Sequence, residues 1–164
     1  MEMIKSQVKG GGHASNPKFS STTGVHVSMY RFADVVYNPG SQTADIGAGL
    51  VWDDVYTALE PHGVSVVGGR VPSVGVAGLT LGGGLFDQSW IPGQKVLIIY
   101  VAGYSWKSNQ YGLTIDTVTA FELVKPDGNV VTVTKASDPD LFFGLKVRVY
   151  GTANIGSLTK ALVT

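Results

Sequence analysis

The chain has no cysteine among its 164 residues. Disulfides and thiolate metal sites are therefore excluded, and no redox compartment can be read from thiols. Charge is scarce as well. Twelve basic residues balance twelve acidic ones, and together the charged residues make up only 15% of the chain. Such neutrality leaves no electrostatic footprint for nucleic acid or an anionic membrane, so neither is expected as a partner. Long apolar runs are missing too. The longest stretch, Val96 to Ala102, is far too short to span a bilayer. Met1 to Gln7 holds no apolar core, so no signal peptide is expected there and localisation stays open. The three histidines, His13, His26 and His62, are scattered. With no cysteine to join them they form no metal constellation, and no base and orienter can be paired into a Ser-His-Asp triad.

Apolar residues, at 44%, are plentiful enough for one folded domain with a core. Val25 to Met29 alternates like a half-buried strand. Val35 to Tyr37 and Thr43 to Gly47 flank a turn at Asn38-Pro39-Gly40 and read as a hairpin. Trp52, Val55, Tyr56 and Leu59 fall on one helical face, so Trp52 to Glu60 is predicted as an amphipathic helix that ends at Pro61-His62-Gly63. Asp53 and Asp54 occupy its first turn, where the macrodipole favours them. Ser65 to Val67 reads as a short strand. Val118 to Val124 and Val130 to Thr134 flank the turn sequence Lys125-Pro126-Asp127-Gly128-Asn129. Asp138 as N-cap and Pro139 at the first helical position open a short helix through Leu145. Strands mixed with few helices make the fold class α+β. His26, on a strand, and His62, at a helix end, read as structural.

Glycine is what the chain has in abundance: 22 residues, concentrated in Gly10-Gly11-Gly12 before His13 and in the stretch from Gly68 to Gly84. Dense glycine lets a backbone approach a ligand closely, and successive N–H groups in such loops make concave anion sites. Two such loops in one small domain suggest a ligand with a diphosphate and a flat ring system. Neither loop fits the G-x-G-x-x-G of a dinucleotide-binding strand–turn–helix, and neither carries the G-K-[ST] of a phosphate loop. Taken alone, Gly10-Gly11-Gly12 reads as a plain turn or hairpin connection.

The whole string resembles the FAD-binding domain of the vanillyl-alcohol-oxidase/p-cresol-methylhydroxylase (PCMH) superfamily, in its berberine-bridge-enzyme-like and 6-hydroxynicotine-oxidase-like branch. Lys9-Gly10-Gly11-Gly12-His13 is similar to the family's [RK]-x-G-G-H loop. Gly47-Ala48-Gly49 followed by Trp52-Asp53-Asp54-Val55-Tyr56 is similar to its strand-to-helix step, and Pro72-Ser73-Val74-Gly75-Val76-Ala77-Gly78 with Gly82-Gly83-Gly84 to its second FAD loop. Tyr111-Gly112-Leu113-Thr114-Ile115-Asp116 and Asp138-Pro139-Asp140-Leu141-Phe142-Phe143 complete five motifs in family order. The resemblance implies a partial PCMH-type FAD-binding domain, with the FAD diphosphate held by backbone N–H groups of Gly10, Gly11, Gly12, Ser73, Val74, Gly75, Gly78 and Gly83. It implies that His13 attaches the flavin covalently at its 8α carbon; a loop histidine that only hydrogen-bonds is the alternative. The second linkage of some relatives, through a cysteine, is impossible here because Val71 stands at that place. The implied activity is that of an oxidase that passes hydride from a small-molecule substrate to flavin N5, with dioxygen as the second partner. The catalytic residues stay unknown.

Three departures from the family pattern bear on these expectations. The chain starts almost at the first glycine loop, and it stops at Thr164 without the substrate domain, so 1–164 is expected to be one FAD-binding domain incomplete at both ends. The nineteen residues Leu85 to Gly103 interrupt the family text between Gly84 and Tyr104-Ser105-Trp106. They read as a retained short intron or as a genuine surface loop, which chain thermodynamics tolerates. Val147 to Tyr150 intrudes where a glycine-rich run is expected. The chain by itself is expected to be inactive. A non-catalytic FAD- or nucleotide-binding module and a non-functional fragment remain as alternative readings.

Overall fold

The computed structural model describes residues 6–13, 18, 21–82, 85–86, 100–101, 104–125, 127–146 and 157–162. Strands β1 (Ser6–Lys9) and β2 (Val25–Ser28) form a two-stranded parallel pair, with Ser6 opposite Val25 and Lys9 opposite Ser28. A five-stranded antiparallel sheet follows. Its strands are β3 (Val35–Asn38), β4 (Thr43–Ile46), β7 (Val118–Val124), β8 (Val130–Thr134) and β9 (Ser157–Leu162), in the spatial order β3-β4-β9-β7-β8. The short strands β5 (Leu85–Phe86) and β6 (Tyr100–Val101) pair antiparallel with each other. The helices are α1 (Trp52–Leu59), α2 (Val76–Leu81), α3 (Ser108–Tyr111) and α4 (Pro139–Lys146). The architecture is thus α+β. Among the described residues no helix is long and apolar enough to cross a membrane.

Local signals explain the elements that sequence alone predicts. α1 buries Trp52, Val55 and Leu59 on one face and places Asp53 and Asp54 in its first turn. The Asp138 carboxylate accepts from the Leu141 N–H at 3.0 Å, which caps α4. Between β7 and β8, Gly128 adopts φ +85° and donates its N–H to the Lys125 carbonyl, closing the turn. The hairpin of β3 and β4 pairs Val35 with Ile46 and Asn38 with Thr43.

Other elements differ from expectation. β2 alternates in sequence, yet all four of its residues are exposed rather than half-buried, because it is paired on one edge by β1 alone and, among the described residues, no apolar layer packs on it. Ser65 to Val67 is not a regular strand. α2 lies inside the stretch read as a glycine loop, and β9 lies where the family text is blurred. Of the Leu85 to Gly103 segment, the described ends meet: Leu85 pairs with Val101 and Phe86 with Tyr100. Residues 87–99, 102 and 103, and the Val147 to Tyr150 intrusion, lie outside the described residues.

Two apolar clusters form the core. The first gathers Ala44 and Ile46 of β4, Leu50, three α1 residues, Val66 and Val76 of α2. The second gathers Leu81 of α2, Ile115, the inner face of β7, Val133 of β8, and Phe142 and Leu145 of α4. Phe121, fully buried, packs its ring 5.7 Å from that of Phe142. α2 contributes one residue to each cluster and so spans both.

Two glycines mark the extremes of packing tolerance. A methyl group at Gly68 would fall inside the van der Waals radius of the Trp52 ring, whereas one at Gly144, within α4, would meet nothing within 4 Å. Gly68→Ala is expected to destabilise the fold by about 1–3 kcal/mol through overpacking. Gly144→Ala is expected to stabilise it by about 0.5–1 kcal/mol through helix propensity. Urea unfolding of the two variants checks both signs.

Candidate functional site

The two glycine loops, distant in sequence, meet in the structure. The first runs from the end of β1 through Gly10, Gly11, Gly12 and His13. The second runs from Gly68 to the start of α2. Their closest approach is backbone on backbone. A methyl group at Gly11 would lie 2.5 Å from the Gly75 Cα, and one at Gly75 would lie 2.7 Å from the Gly11 nitrogen. Real Cβ atoms do not come so close, so each loop needs glycine at this contact because of the other.

The second loop is moored to the start of α1. The Trp52 N–H donates to the Val74 carbonyl at 3.0 Å, and the Val76 N–H to the Leu50 carbonyl at 2.9 Å, so that Val51 and Gly75 face each other as an isolated bridge. The Trp52 indole, 1% exposed, fills the space beside Gly68 and Gly69. One turn later the Tyr56 hydroxyl donates to the Gly69 carbonyl at 2.9 Å. Burial, reinforced by the nearby Asp53 carboxylate, pushes the Tyr56 phenol up to about 12.

The sequence-predicted site residues divide into groups. Gly10, Gly11, Gly12 and His13 lie together on the first loop; Gly11, Gly12 and His13 are exposed, and Gly12 adopts φ +71°. Val74, Gly75 and Gly78 lie on the second loop and the first turns of α2, with Gly78 exposed and, among the described residues, no atom outside its own helix backbone within 4 Å of a methyl group built there. Ser73 departs from expectation. It adopts φ +63°, and its N–H donates to Asp53 Oδ2 at 2.7 Å. The N–H expected to face a diphosphate is thus taken by a carboxylate of the same chain. Gly83 lies outside the described residues. His26 is exposed on β2, and His62 packs its ring 5.2 Å from Tyr37.

Sequence reasoning passed over two features at these loops. Lys9 reaches over Gly12, and Arg70 stacks on Tyr104 and Trp106 at 4.5 and 5.2 Å from the ring centroids. The first is signalled in sequence only by a basic residue just ahead of the glycines. The second pairs residues from distant segments and has no local signal.

Residues 2–94 match the family described as FAD binding domain. The chain is 37% identical over 158 residues to a FAD-dependent monooxygenase of Arthrobotrys oligospora, covering 95% of this chain and 26% of that protein. It thus spans about a quarter of the length of the curated relatives it matches. Among solved structures it resembles BBE-like 1 of Physcomitrella patens, with 27% identity and a TM-score of 0.73 over 98% of this chain and 31% of that one. It shares its fold with the glucooligosaccharide oxidase of Acremonium strictum, at 24% identity and a TM-score of 0.71 over 95% of this chain and 29% of that one. The flavin of that oxidase is described as 6-S-cysteinyl, 8α-N1-histidyl FAD.

The Tyr56 phenol gives the loop anchor an alkaline signature. Its folded value near 12 lies above the ordinary value of 10, so the unfolded chain ionises first as pH rises. The stabilisation is complete below pH 10 and is lost between pH 10 and 12. Tyr56→Phe is expected to remove this part of the alkaline loss, at the cost of about 1 kcal/mol at neutral pH for the bond to Gly69. Urea midpoints measured across that range for both proteins check it.

Proposed function

The chain belongs to the FAD-binding-domain family of the vanillyl-alcohol-oxidase/p-cresol-methylhydroxylase superfamily, and from that membership we propose that its two touching glycine loops are the seat of the FAD diphosphate. The observation that carries this reading is the Gly11–Gly75 contact. It puts the glycine run 10–12 against the backbone of Gly75 on the second loop, and loop N–H groups brought together in this way are suited to a phosphate. The fit is supported at Gly78 as well. Glycine inside a helix is destabilising by about 0.5–1 kcal/mol relative to alanine, and no atom of the described residues outside the helix backbone requires it here. A ligand backed against α2 would account for it.

Within this seat, Gly10, Gly11, Gly12, Val74, Gly75 and Gly78 are the proposed diphosphate contacts. Ser73 acts differently: held by Asp53, it fixes the entry to the loop rather than offering its N–H. FAD, when bound, supplies the two-electron redox chemistry. His13, exposed at the end of the first loop, is proposed as the covalent anchor of the flavin. The family motif supports this, as does the histidyl linkage described for the Acremonium strictum oxidase. With Val71 at the other attachment position, one tether is available.

The reading that fits a protein of the relatives' length is an oxidoreductase of the berberine-bridge-enzyme-like branch. Its partners would be a small-molecule substrate and dioxygen. The relatives described as FAD-dependent monooxygenases support oxygen as a co-substrate.

Flavin content of the purified chain tests the seat. A yellow protein whose band stays fluorescent after denaturation is expected, and His13→Ala is expected to abolish that fluorescence while leaving the far-UV circular dichroism unchanged. A colourless chain that takes up no added FAD would overturn the reading. Gly78→Ala separates ligand from fold: thermal stability is expected to hold or rise by a few degrees, while the FAD dissociation constant rises. Unchanged FAD affinity in this variant would remove Gly78 from the contact set.

A further inference from the structure

The first glycine loop carries a cation that backbone recognition of a diphosphate leaves unused. Lys9, the last residue of β1, is half-buried, and its side chain lies across Gly12 instead of standing out into solvent. A methyl group at Gly12 would come within 2.5 Å of Lys9 Cε and 3.3 Å of Lys9 Nζ. The left-handed φ of +71° favours glycine at position 12, and the end of the lysine side chain lies directly beside it. β2 fixes the base of that stem, because the Met29 N–H donates to the Lys9 carbonyl at 2.9 Å.

The Lys9 ammonium pairs with no carboxylate among the described residues. Asp53, the carboxylate that reaches the second loop at Ser73, accepts from the Ser73 N–H. Arg70, the other basic side chain at the second loop, lies against Tyr104 and Trp106. An ammonium without an acidic partner, held alongside exposed loop backbone, is suited to an anion, since charge-assisted contacts are the strong ones.

We propose that Lys9 is a binding residue of the FAD site, its ammonium meeting the charge of the cofactor's diphosphate from the first loop. This rests on the FAD reading above and adds to it a point charge that the backbone N–H groups do not supply. Discrimination follows: a flavin bearing phosphate gains from Lys9, and one without it does not.

The test compares FAD and riboflavin binding by flavin fluorescence in the wild-type chain, Lys9→Met and Lys9→Arg, at low and high salt, with inorganic pyrophosphate as competitor. Lys9→Met is expected to raise the FAD dissociation constant by roughly tenfold or more at low salt, the loss of one charge-assisted contact. The gap is expected to narrow at high salt. Riboflavin binding should not change, Lys9→Arg should recover FAD binding, and pyrophosphate should compete less well on Lys9→Met. Lys9→Gln replaces the methionine variant if that one fails to fold. Wild-type FAD affinity and salt dependence in the charge-free variant would overturn the role of Lys9 while leaving the FAD site intact, and so would equal losses of FAD and riboflavin. A wild-type chain that binds no FAD overturns both.

Discussion

The second glycine loop takes its shape from the buried Trp52 indole. The ring leaves no room for a side chain at Gly68 or Gly69, while the backbone N–H of the same residue holds the Val74 carbonyl. Tyr56 clamps the Gly69 carbonyl from the next turn. One helix face therefore fixes the loop at three points, and Gly75 is delivered against Gly11. The glycines divide accordingly. Gly68 and Gly69 answer to the indole, Gly11 and Gly75 to each other, and Gly78 to no neighbour outside its own helix among the described residues.

The loops are also unequal in charge. On the second, Asp53 satisfies the N–H of a strained residue, Ser73 at φ +63°, within the chain's own structure. A residue other than glycine persists in that conformation where its surroundings over-determine it, and the carboxylate is one such constraint. On the first loop the charged group is basic and has no carboxylate partner among the described residues. An anion at the loops would meet an acid already engaged at Ser73, an arginine stacked on Tyr104 and Trp106, and a lysine with no carboxylate partner among the described residues.

What sequence reveals follows from how local the signal is. α1, α4 and the β7–β8 turn are legible because periodicity, an aspartate cap and a glycine turn act within a few residues. The family motifs make the partial PCMH-type fold legible as a whole. β1 pairing with β2 in parallel is not, since that pairing joins distant segments and leaves β2 exposed on every residue. α2 hides in a glycine-rich stretch whose helix propensity is poor. At the site, the glycines are readable as loops, but their mutual contact is not, because neither segment encodes the position of the other. The Ser73 N–H was expected at the diphosphate for the same reason: nothing in the loop itself announces that Asp53, twenty residues earlier, reaches it.

α2 reaches both apolar clusters, through Val76 in one and Leu81 in the other. A short helix with poor intrinsic propensity is thus the splice between two half-cores, and it persists by tertiary packing rather than by its own residues. Whatever steadies this helix steadies both halves together. Occupancy of the adjacent loop would then be felt as a single upward shift of the whole melting transition, following the ratio of ligand concentration to dissociation constant. With FAD in the proposed seat, a domain so built would couple its own cohesion to the ligand.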